Sequence, residues 1–157
     1  MKSMLGSVVI CLLLSLFLGT AWVSAMEKSE APEACRQCGM NRTTYAQSRM
    51  LVVYKDGESA GTCSVNCLVT GIKASDKKIK SVQVADYTTK KLIDAKTATW
   101  VIGGTKRPVM SSIAKWAFAK DQDARTFIAE NGGNLAKYDE VIKASNKEHL
   151  ERKEKRH

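Results

Sequence analysis

The chain has 157 residues, 44% of them apolar and 26% charged, so a packed core is feasible and wholesale disorder is not expected. It is too short for a Rossmann enzyme with a substrate domain, a TIM barrel or a kinase, and leaves room for one compact domain or two very small ones. Its formal charge of +9 points to an acidic partner surface or anionic lipid head groups, while the lack of an aromatic–basic stripe argues against nucleic acid.

The N-terminus comes first because it fixes the meaning of every cysteine. Lys2 supplies a positive start, residues 8–18 form an apolar run too short to span a bilayer comfortably, and Val23-Ser24-Ala25 is a small-x-small cleavage site. Residues 1–25 therefore read as a cleaved signal peptide, with Met26 beginning an exported, periplasmic chain. Cys11 lies inside the apolar run after Val-Val-Ile, without the small residues that precede a lipid-attachment cysteine, so a lipid anchor is not expected. No later stretch reaches about 18 apolar residues.

A polar tether with Pro32 leads into Cys35-Arg-Gln-Cys38-Gly39-Met40, where Gly39 suits a tight knuckle. Residues 48–54 read as a strand, Asp56-Gly57 as a hairpin turn and residues 58–63 as the returning strand. Ser64 caps a helix whose Val65, Leu68, Val69 and Ile72 fall at i, i+3, i+4 and i+7. Residues 80–85 alternate as a third strand, and residues 86–97 form a polar connection to which no element is assigned. The order then recurs. Residues 99–102 and 113–119 read as strands, the second with Ala114, Trp116 and Phe118 on one face. Asp121 caps a helix presenting Ala124, Phe127 and Ile128 inward, Gly132-Gly133 stops it, and residues 134–141 supply a last strand. Lys143 onward is a charged tail that can be helical but is expected to fray. The expected fold is α+β: two related ββαβ units, residues 26–89 and 90–142, packed together as a monomer, with residues 143–157 as the tail. Pieces of this size bury little surface alone and need each other or a metal.

The mature chain has four cysteines, Cys35 and Cys38 on the knuckle and Cys63 and Cys67 at a strand-to-helix junction. Cys67 falls in the first helical turn, where free N–H groups and the helix dipole favour a thiolate, and it lies opposite the apolar stripe, so it is not plain core filler. Three readings stay open: two structural disulfides with three possible connectivities, a structural zinc site, and a copper(I) site of thiolates and thioethers. A dithiol oxidoreductase is the weakest, because the C-x-x-C pair does not sit in a βαβ pattern. Met40 on the knuckle and Met110 in a loop after Pro108 favour copper(I), since soft sulfur selects it over hard cations. Met50 sits in a strand and is assigned to packing. The histidines, His149 and His157, both lie in the tail, which argues against a catalytic histidine or a histidine-ligated zinc hydrolase.

From Cys35-Arg-Gln-Cys-Gly-Met40 onward the sequence resembles the NosL family, exported copper-binding accessory proteins of nitrous oxide reductase. The resemblance runs through Val52-Val-Tyr-Lys-Asp-Gly57 and Thr62-Cys-Ser-Val-Asn-Cys67. It resumes at Trp100-Val-Ile-Gly-Gly, Pro108-Val-Met110 and Phe127-Ile-Ala-Glu-Asn-Gly-Gly133. It implies a copper(I) carrier rather than an enzyme, delivering metal to nitrous oxide reductase or its maturation machinery, on two related ββαβ units. The residues that match the family's ligands are Cys35, Cys38, Met40 and Met110, and Cys63 and Cys67 match its cysteine-rich subset. Those last two would complete the copper site, hold a separate zinc ion or pair as a disulfide. Many family members are lipid-anchored, a feature this chain's signal does not support.

Overall fold

Residues 30–155 are described by a computed structural model; the signal peptide expected over residues 1–25 lies outside the described residues, as does His157. Among the described residues, seven strands and three helices follow in the order β1 (Met50–Tyr54), β2 (Ser59–Thr62), α1 (Val65–Lys73), β3 (Ile79–Ala85), β4 (Leu92–Asp94), β5 (Thr99–Ile102), β6 (Lys115–Phe118), α2 (Asp121–Asn131), β7 (Asn134–Ala136) and α3 (Tyr138–Glu154).

The strands form two antiparallel sheets, one ordered β2-β1-β3-β4 and one β6-β5-β7. In each, the first strand of the sheet is flanked by the second and by the strand that follows the helix. The β1–β2 hairpin turns at Gly57, whose φ of 89° needs no Cβ, and the Asp56 carboxylate accepts the Glu58 N–H at 3.0 Å. Met50 of β1 pairs with Thr62 on one side and Val84 on the other, while Trp100 of β5 pairs with Ala117 and Ala136.

Alternation along β5 and β6 sorts side chains into two cores. Trp100 and Ala117 join Met50, Val52, Val82, Val84, Leu68 and Val141. Val101, Trp116 and Phe118 join Phe127, Ala124 and the buried cysteines. The two sheets are stitched at Asp86, a buried carboxylate that accepts the Ala119 N–H at 3.0 Å, beside the Tyr87 N–H donated to Ala117 O at 2.7 Å.

Three expectations are corrected. The polar connection over residues 86–97 contains β4, which is too short and too exposed to show alternation and pairs with β3 in the first sheet. The last strand expected over 134–141 is only Asn134–Ala136, and from Tyr138 the chain becomes a 17-residue helix instead of a frayed tail. That helix packs on α1 through Val141, Ser145 and Glu148, all buried. Its apolar signal is hidden because two of those three positions are polar. Finally, Asp121 is the first helical residue of α2 and not its cap; the cap position is Lys120, which makes no side-chain capping bond, and Asp121 and Asp123 instead complement the helix dipole. Gly132 ends the helix as expected, with φ 72°.

Candidate metal centre

Local rules at three places bring the cysteines together. The knuckle closes on itself, Gly39 N–H donating to Cys35 O and Cys35 N–H to Met40 O, each at 2.8 Å, with Gly39 at φ 75°. Arg36 N–H donates to Gly61 O at 3.0 Å, pinning the knuckle to the end of β2. Cys63 follows β2 directly, its carbonyl accepting Ser48 Oγ at 2.8 Å. Ser64, with extended φ and ψ, caps α1 by accepting the Cys67 N–H at 3.4 Å. This cap is what places Cys67 one turn from Cys63.

Behind this frame lies the buried Arg42 guanidinium. It donates to Met50 O at 3.1 Å and Pro32 O at 3.0 Å and pairs with Glu30 at 3.1 Å, so the segment before the knuckle, the loop after it and β1 share one anchor.

The sulfurs of Cys35, Cys38, Cys63 and Cys67 all lie within 4.8 Å of one another. Cys38 is 3.6 Å from Cys63, Cys63 is 3.7 Å from Cys67, and Cys67 is 3.7 Å from Cys38. All four are free thiols. Cys35, Cys63 and Cys67 are at most 4% exposed, whereas Cys38 reaches solvent. The stripe of α1 faces the first core and Cys67 faces the second, as its position opposite the stripe requires.

Crowding splits the thiols' acidities. Hydrogen bonding from Cys63 pulls the Cys67 pKa down to about 6 against the opposing effect of burial, with Cys38 and Ser64 adding to the pull. Cys63 moves the other way, pushed up because it donates to Cys67 and is buried. Burial pushes Cys38 up to about 11. Within the cluster, ionisation is thus favoured at Cys67 over Cys63 and Cys38.

Met110 stands at the edge of the same site. It lines a cleft of about 440 Å³ with Cys38, Cys67, Asn66, His149 and Arg152, and it is 37% exposed. Met40 packs partly buried against the cysteine core and shares a second groove with Met110, Tyr45 and Arg107. All six sequence-predicted residues therefore converge on one region, while Met50 is fully buried in the other core. His149 is not a solvated tail residue: its Nδ1 lies 3.2 Å from Thr70 Oγ1, which itself donates to Asn66 O at 3.0 Å. Sequence reading also missed Asn66, which lines the cleft, and Lys115 and Glu148, which are buried beside it. The only signal for Glu148 is its spacing with Val141 and Ser145 along one helical face.

Chemically, four gathered thiols flanked by two thioethers suit a soft or borderline cation. Among the described residues no helix is long and apolar enough to cross a membrane. No curated protein matches the chain. A solved structure, the copper chaperone NosL from Shewanella denitrificans, is similar in fold with a TM-score of 0.56 at 23% identity, covering 70% of this chain and 90% of that one. The NosL family model matches residues 26–146, most of the chain and every residue of the sulfur cluster, and the protein belongs to the NosL family.

Proposed function

We propose that the protein is an exported copper(I) carrier, not an enzyme, which receives the ion at the sulfur cluster and delivers it to nitrous oxide reductase or its maturation machinery in the periplasm. One observation carries this reading: four cysteine sulfurs within 4.8 Å of one another, flanked by Met40 and Met110 and open to solvent at Cys38. Cys35, Cys38 and Met40 supply the primary ligands and Met110 reaches them from the second sheet. A carrier needs soft ligands that hold the ion against competitors and one accessible ligand at which a partner's sulfur can attack. Family membership and the fold of the copper chaperone support the same reading. The like orders β2-β1-β3 and β6-β5-β7 support a relation between the two ββαβ units, with the ligands split between them. Export follows from the signal peptide read over residues 1–25.

A second reading has its own observation. A tetrahedron of sulfurs about 2.3 Å from a central ion has edges of about 3.8 Å. The three separations among Cys38, Cys63 and Cys67, 3.6 and 3.7 Å, nearly match that edge, and Cys35 lies within 4.8 Å of each, which favours a four-sulfur zinc site.

Anaerobic titration of reduced protein separates the two. Copper(I) should bind near-stoichiometrically in competition with a strong chelator. It should weaken by an order of magnitude or more in Cys35→Ser and Cys38→Ser but be unchanged in Met50→Leu. Unchanged affinity in the cysteine variants ends the copper reading. Zinc that copper(I) does not displace from the wild-type protein favours the closed zinc site.

A further inference from the structure

Glu148 on α3 is buried and sits where the two sides of the cleft meet. One oxygen pairs with Lys115 Nζ at 2.5 Å, and both side chains are nearly inaccessible. The other accepts Asn66 Nδ2 at 3.0 Å and the Ser112 N–H at 3.0 Å, and Ser111 Oγ lies 3.0 Å away. Asn66 directly precedes Cys67, and Ser111 and Ser112 directly follow Met110. One turn along α3, Arg152 donates to Met110 O at 2.8 Å and approaches Glu148 at 3.5 Å. Met110 itself holds φ at 53°, a left-handed conformation that a methionine does not adopt unless its surroundings impose it.

A buried ion pair is poor evidence of stabilisation, because desolvating two charges offsets most of their attraction. This one is placed where stability is not the evident purpose. Its hydrogen bonds run in two directions, to the residue beside a thiol and to the loop that carries the thioether.

We propose that Glu148 and Arg152 are positioning residues for the copper site: from one turn of α3 they clamp the Met110 loop to the start of α1, fixing the reach from the thioether to the thiol cluster. This rests on the reading of Met110 as a copper ligand. Asn66 and Ser112 transmit the clamp to the cluster side and the loop side respectively. Neither Glu148 nor Arg152 touches the ion.

The test compares copper(I) affinity, by chelator competition under anaerobic conditions, in the wild-type protein and in Met110→Leu, Arg152→Ala and Glu148→Gln, and then in each clamp variant combined with Met110→Leu. The clamp variants should weaken binding about tenfold, the lower end of what losing an outer-shell partner costs. Their effect should vanish in the Met110→Leu background, because there is then no thioether to place. Cobalt(II), bound as a probe of the thiols alone, should give the wild-type thiolate charge-transfer band throughout. Glu148→Gln strands Lys115; if that variant does not fold, Arg152→Ala, whose side chain is 45% exposed, still decides the matter. Wild-type affinity in the clamp variants beside a weakened Met110→Leu overturns the clamp and leaves the copper reading standing, as does full additivity with Met110→Leu. Wild-type affinity in Met110→Leu removes Met110 as a ligand, and the clamp falls with it.

Discussion

At Gly61 a single hydrogen decides how closely the knuckle can approach the hairpin. A Cβ there would overlap the guanidinium of Arg42, which is 3% exposed and cannot swing into solvent without abandoning its carbonyls and Glu30. Gly61 also accepts the Arg36 N–H, so the residue that leaves room for the anchor is the one that pins the knuckle. Gly61→Ala should cost about 1–3 kcal/mol, the usual range for overpacking, read as a lower urea midpoint with unchanged m-value. At this scale the site was largely legible. Cysteine spacing, the glycine after Cys38 and the two methionines are local patterns with direct chemical meaning, and the six residues they single out meet around one cleft and groove. Glu148, Lys115 and Asn66 were not legible. Each is an ordinary polar residue in a polar stretch, and only contacts between residues 33 to 82 positions apart give them a role.

At the scale of elements, α1 is short and depends on its first turn. Ser64 accepts the Cys67 N–H, and no acidic residue in that turn helps the dipole. Ser64→Ala should therefore destabilise the protein by about 1 kcal/mol in a thermal or urea melt. It should also raise the Cys67 pKa, measured by the pH dependence of thiolate absorbance, because the Ser64 hydrogen bond is one of the contacts holding it down. Helix α1 was legible from its Ser64 cap and apolar stripe, and α2 from its inward apolar residues and the glycines that stop it. Strand β4 was not, since three half-exposed residues have no period to read. Helix α3 was misread for a different reason. Its exposed face is almost wholly charged, and the face that packs on α1 uses Ser145 and Glu148, so hydrophobic pattern described only its solvent side.

For the whole molecule, the sheets are joined more by polar contacts than the sequence suggests: Asp86 ties the end of β3 to β6, and Glu148 ties α3 to α1 and the Met110 loop. Burial alone would raise the Glu148 pKa, but the bonds from Lys115, Ser112 and Asn66 outweigh it and hold it near 2, below its ordinary 4.5. A carboxyl with a depressed folded-state pKa lends stability above its unfolded pKa and loses it as pH falls through the folded one. Folding stability should therefore drop by about 3 kcal/mol between roughly pH 4.5 and pH 2 on this account, and Glu148→Gln should flatten that limb of an acid titration followed by circular dichroism. Burial also pulls the Lys115 pKa down, so the net worth of the pair at neutral pH is smaller than the acid limb alone implies. The β1–β2 hairpin was legible from Asp56-Gly57; the polar joints between the sheets were not, because no local rule assigns a partner to a buried charge.

The exposure of Cys38 beside three covered sulfurs gives the cluster a front and a back. Of the four cysteine sulfurs it is the one within reach from outside, with the exposed Met110 at the edge of the same cleft. On the carrier reading, the pace of exchange is set at residue 38 and the firmness of the grip by the covered sulfurs behind it.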